Sequence, residues 1–111
     1  MAFGSPQYVK IAASSNGANT LVTGVTGFRI MVLGYVIVAS GTVNAKFVDG
    51  STDITGPMNL VANAGVAAAL APMSEHSEIG WFQTSSGANL VLNLSAGVEV
   101  DGHLTYCLIP G

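Results

Sequence analysis

Two short stretches carry the side chains that could do chemistry. In "SEHSE", Glu75, His76 and Glu78 offer nitrogen and oxygen donors of the kind a first-row divalent metal accepts. In "EVDGH", Glu99, Asp101 and His103 recur every second residue. In an extended chain that spacing puts them on one side, where a Ca²⁺ site or a carboxylate–histidine pair could form. Neither stretch has the context such chemistry needs. No His-x-x-x-His pair accompanies the first, and a charged surface loop explains it equally well. Asp101-Gly102 in the second makes a good turn or bulge by itself. The serines fall in turn clusters, with no Gly-x-Ser-x-Gly and no Gly-x-x-x-x-Gly-Lys phosphate loop. The expectation is therefore a protein that is not an enzyme, with no catalytic, metal-binding or cofactor-binding residue.

Two other features invite a functional reading. Cys107, the lone cysteine, excludes an internal disulfide and lies in the apolar run "YCLI", which marks a buried thiol packing as a small hydrophobe. Trp81 and Phe82 stand side by side in "GWFQ". Neighbours on a strand point to opposite faces, so the pair cannot form one flat platform. One of them belongs to the core; the other lies outside or at a subunit contact, as aromatics often do.

The elements that must position these residues are strands. Val43, Ala45 and Phe47 alternate with Thr42, Asn44 and Lys46; Leu90, Leu92 and Leu94 alternate with polar Asn89, Asn93 and Ser95; Leu104, Tyr106 and Leu108 repeat the pattern. Nothing shows a capped helical period, and "NAGVAAALAP" is too short between Gly65 and Pro72 to be more than a short strand or turn. Asn16-Gly17 and "SSGAN" at 85–89 predict hairpin turns. Strands are expected near 7–13, 18–23, 28–40, 42–48, 57–62, 66–70, 79–84, 89–95 and 102–109. That spacing predicts an all-β, jelly-roll-like sandwich of about eight antiparallel strands. Residues 8–111 form the single domain, preceded by an extended arm over 1–7.

Composition narrows the partners. Half of the 111 residues are hydrophobic and only 8% are charged, so the polar surface comes from 10 Ser, 8 Thr, 7 Asn and the 14 Gly beside them. Subunits with such a surface repel one another little. Lys10, Arg29 and Lys46 are the only cations, too few to neutralise a nucleic-acid backbone. The N-terminus lacks a basic region followed by an apolar one, and the longest apolar run, ten residues over 30–39, is too short for a helical span. Neither nucleic acid nor membrane is expected as a partner, and synthesis is expected in the cytoplasm.

Phe28 to Ser40 stands apart because both faces are apolar. Strict alternation sets Phe28, Ile30, Val32, Val36 and Val38 against Met31, Leu33, Tyr35 and Ile37. A two-layer sandwich gives a strand one dry face, so the second face calls for another covering, and a subunit contact at Met31, Leu33, Tyr35 and Ile37 is the expectation.

The order "KFVDGSTDITGPMNLVANAGV" and then "GWFQTSSGANLVLNLSAGVEVDGHLTY" resembles small structural proteins of tailed bacteriophages, over about residues 28 to 109. The shared pattern is a Gly-Pro before a short Leu-containing strand, Gly-Trp-Phe, an alternating Leu strand ending in Ser, and a closing Gly-x-Leu-x-Tyr strand. The resemblance implies a virion protein of the capsid decoration, or cement, type: a homotrimer on the outer capsid surface that binds the major capsid protein and clamps neighbouring capsomers. Trp81 and Phe82 would join the oligomer interface, and the arm, with Phe3, Pro6 and Tyr8, would lie along the shell. The alternative is a tail- or fibre-associated module that displays Trp81 or Tyr35 to a host glycan or receptor.

Overall fold

The computed structural model describes residues 5–50, 52–68 and 80–111. Those residues contain ten strands and no helix: β1 (Gln7–Ala13), β2 (Gly17–Val22), β3 (Phe28–Ala39), β4 (Val43–Asp49), β5 (Thr52–Asp53), β6 (Met58–Leu60), β7 (Gly65–Ala68), β8 (Phe82–Gln83), β9 (Leu90–Leu94) and β10 (Val100–Pro110). The expected strands are all present, and β5 is an addition. Phe3 and the Glu75, His76 and Glu78 stretch lie outside the described residues. β1 spans the expected 7–13, so Gln7, where the expected arm and strand overlapped, belongs to the strand.

The strands form two five-stranded antiparallel sheets. The first runs β1-β10-β3-β7, with β8 also on β3; the second runs β2-β9-β4-β5, with β6 also on β4. Pairing β1 with β10, β2 with β9, β3 with β7 and β8, and β4 with β5 and β6 describes one long hairpin. Rolling it so that β10 meets β3 and β9 meets β4 gives the sandwich, which is the jelly-roll order.

Rolling explains why two predicted hairpins are not hairpins. β1 and β2 flank Asn16-Gly17, yet they belong to different sheets; so do β8 and β9 on either side of "SSGAN". The turn chemistry reverses the chain as expected, with Gly17 at φ 96° and Gly87 at φ 78°. It does not decide which sheet the next strand joins. Side chains fix the second crossing: the Asp49 carboxylate accepts from Ser85 N (3.1 Å) and Ser85 Oγ (2.7 Å), and Asn89 Oδ1 accepts from Gly24 N (2.7 Å).

The core lies between the sheets. Leu90, Leu92, Leu94, Val43, Ala45 and Phe47 enter from the second sheet, and Ile11, Ile30, Val32, Ile37, Val100 and Leu104 from the first. The three β9 leucines alone contribute about 5–9 kcal/mol, as an upper bound on burial.

In β3 the alternation breaks. Thr105 pairs with Gly34 and Tyr106 with Val32, so Leu33 is an extra residue without a partner on β10. Such a bulge swaps the faces of everything beyond it. Ile30 and Val32 before it, and Tyr35, Ile37 and Ala39 after it, therefore all meet the inter-sheet core. This corrects the reading that set Tyr35 and Ile37 on the second face. Met31 and Leu33 do lie there, but each is 0% exposed within the single chain, where they cluster with Cys107 and Ile109. The Gly80 backbone lies against Met31, because a Cβ at that residue would come within 2.8 Å of Met31 Cγ. The bare apolar face that called for a subunit contact at these four residues is not there.

Candidate interaction surface

Strand alternation separates Trp81 from Phe82, neighbours at the start of β8. β8 returns to the edge of β3, where Trp81 N donates to Val32 O (2.8 Å) and Thr84 N to Ile30 O (3.0 Å). Buried Thr84 closes the ladder by accepting Ile30 N at Oγ1 (3.0 Å). Only glycine lets the chain come in this closely: Gly80 has φ 63°, and a Cβ would sit 2.5 Å from Val32 O. Phe82 then packs between the sheets, 5.0 Å from the Phe47 ring and 6.2 Å from Tyr35, while Tyr35 meets Phe47 edge-on at 4.9 Å. Phe82 is thus the core member of the pair. Trp81 remains 51% exposed.

Tyr35 cannot serve as a displayed platform, since its ring lies against Phe47. Burial pushes its hydroxyl above the usual phenol value. Tyr8 is the more exposed aromatic, at 80%, on edge strand β1 opposite Thr105. Pro6, just before β1, is also exposed.

The "EVDGH" segment is not a turn. Val100 to Pro110 is one unbroken strand between β1 and β3. Gly102 is needed there for room, because a Cβ would collide with Val36 O. Asp101 and His103 do share the outward side, opposite Ala12 and Val38 and opposite Lys10 and Val36 respectively. None of these neighbours adds a carboxylate or imidazole. Among the described residues no three His, Cys, Asp or Glu side chains come together as a metal site. Cys107 is fully buried, and desolvation raises its thiol above the ordinary value, which keeps it in the unreactive protonated form.

The outward side of the second sheet holds a group that the sequence reading left apart. The register places Lys46 opposite Asn93, and two residues along Asn44 meets Ser95, whose N donates to Asn44 O (3.0 Å). With Pro57 these four line a depression of about 210 Å³. Ser95 Oγ accepts Asn44 N (2.9 Å), and Lys46 Nζ donates to Asp53 Oδ2 (3.0 Å). The Asn44 and Asn93 carboxamides bond to none of the described residues. Both polar rows were visible as the wet faces of two strands. That they adjoin depends on β4 pairing with β9, which local pattern does not encode.

No family model and no curated protein matches the sequence. A solved structure does match. It is from work titled "Bacillus endospore appendages form a novel family of disulfide-linked pili", with a TM-score of 0.53 and 9% identity, covering 99% of this chain and 91% of that one. The likeness is to the fold alone. It supports the two-sheet sandwich described above over nearly the whole chain.

Proposed function

We propose that this chain is a non-enzymatic structural protein that decorates a phage capsid, binding the outer shell as an oligomer and bracing capsomer contacts. Trp81 is the observation that carries the reading. A half-exposed tryptophan, held at a sheet edge by a ladder of backbone bonds, is a rigid anchor of the kind that dominates protein contacts. The chain as a whole carries little charge, 8% of its residues, to oppose close approach. Oligomerisation would multiply modest contacts by avidity. With the β3 residues buried, the self-contact is reassigned to exposed groups such as Trp81.

Co-sedimentation with empty expanded capsids tests the proposal directly. Pelleting with capsids, lost on Trp81→Ser, is the expected result; no pelleting with shells of any tailed phage tried, or a stable monomer by light scattering at micromolar concentration, would sink it. The arm is tested by removing residues 1–6, which spares Gln7 and its pairing with Tyr106. Capsid binding that survives this deletion excludes a role for the arm.

A second reading, a filament subunit, is favoured by the fold shared with the endospore appendage structure. The one cysteine here is buried, so any such filament would be held without disulfides. Negative-stain microscopy of concentrated protein, with and without reductant, separates the two readings.

A further inference from the structure

We propose that the outward face of the second sheet carries a shallow saccharide subsite, centred on Asn44, Asn93 and Ser95, that takes one neutral sugar unit of a larger glycan. The site is independent of capsid binding. Its concavity follows from the sheet edge. β6 pairs with Val43 to Ala45 and β5 with Val48 and Asp49, so neither short strand continues the row past Lys46. The chain between them instead closes on Phe47, where Ile54 N and Thr55 N donate to Phe47 O and Thr55 Oγ1 accepts Phe47 N. Pro57 then forms the wall of the depression left beside Lys46.

The lining chemistry selects the ligand. A carboxamide presents a donor and an acceptor side by side in one plane, which matches a pair of adjacent sugar hydroxyls, each able to donate and accept. Two such carboxamides are available here, both without a bond to any described residue. Ser95 Oγ already accepts from the backbone, so its own proton remains to be donated. The apolar Pro57 ring suits the C–H face of a pyranose. Charge argues against anions: Lys46 is neutralised by Asp53 at 3.0 Å, and an incoming phosphate or carboxylate would meet that Asp53 carboxylate. A volume of about 210 Å³ holds a single ring. So small a polar site implies a Kd of about 1 mM, useful only when many copies meet a repeating polymer.

The test is to follow the Asn44 and Asn93 side-chain amide signals by two-dimensional NMR of ¹⁵N-labelled protein. Glucose, galactose, mannose, N-acetylglucosamine, rhamnose and inorganic phosphate are titrated separately. At least one sugar is expected to give saturable shifts confined to Asn44, Asn93, Ser95 and Lys46. Asn93→Ala should abolish them while keeping the wild-type urea midpoint, and phosphate should not reproduce them. The proposal is overturned if no sugar moves these signals at about 100 mM, roughly a hundredfold above that Kd. It is equally overturned if phosphate shifts them as strongly, or if the sugar-induced shifts centre on Trp81 or Tyr8 and persist in Asn93→Ala. Because Asn93→Ala should still pellet with capsids, failure here and failure of the decoration reading are told apart.

Discussion

Replacing Phe47 with alanine would remove the ring that joins the two sheets. Phe47 comes from β4, and its contacts at 4.9 and 5.0 Å are with Tyr35 and Phe82 on the opposite sheet. It is completely buried, so the truncation leaves a cavity that the ladders on both sides resist filling. A buried Phe→Ala change costs about 3–5 kcal/mol. Against a total of about 6–17 kcal/mol for 111 residues, the variant still folds but keeps much less of its reserve. With a urea slope near 2 kcal/mol per M, the midpoint should fall by about 2 M. Phe82→Ala and the double variant complete a cycle, with an expected coupling of about 0.5–1.5 kcal/mol. Equilibrium urea unfolding followed by Trp81 fluorescence and by circular dichroism supplies all four values. If Phe47→Ala lowers stability by less than about 1 kcal/mol, or the two changes add within about 0.3 kcal/mol, then the rings do not join the sheets as argued.

Other consequences can be checked alongside. Trp81→Ser, which removes the only tryptophan and is therefore followed by circular dichroism alone, should stay within about 0.5–1 kcal/mol of wild type in urea while losing capsid or self-association, because the ring is half exposed. Gly102→Ala should abolish soluble expression or cost upwards of about 3 kcal/mol, since the added carbon meets the Val36 carbonyl rather than a flexible side chain; Gly27→Ala, strained at φ 84° but with open space, should cost only about 1 kcal/mol. Cys107 and Tyr35 both have folded-state pKa values raised by burial. Their contribution to stability is therefore complete below the ordinary thiol value and is lost as pH climbs through the raised ones. Urea midpoints should be level in this respect up to about pH 8.5 and fall above it, with Cys107→Ala flattening the first part of the fall. A thiol reagent should leave Cys107 unmodified until urea unfolds the chain.

The strands were readable from the sequence because one wet face and one dry face give a period of two, and Leu90, Leu92 and Leu94 show it without interruption. Sheet membership was not readable. Asn16-Gly17 and "SSGAN" have hairpin chemistry, and only the rolling of the whole chain sends the following strands to the other layer. Counting by twos along β3 failed at Leu33, where one extra residue reversed the faces and turned Tyr35 and Ile37 inward. Gly34, in the middle of an otherwise bulky strand, was the local sign that a bulge was near. For Trp81 and Phe82, the sequence anticipated that the two would separate; which one faced inward followed from the placement of β8 against β3 and Phe47. The carboxamide group on the second sheet escaped notice for another reason. Asn44 and Asn93 are 49 positions apart, and no short-range pattern relates them.

The placement of β10 has a consequence in time. It lies between β1 and β3, and of the ten strands described it is the last to leave the ribosome. Until Val100 to Pro110 emerge, β1 and the apolar strand β3 each present an open edge, and the first sheet cannot close. Nascent chains must therefore hold Ile30 to Ile37 unpaired along one side until β10 emerges. In that interval a crowded neighbour offers the same backbone partners that β10 will later supply.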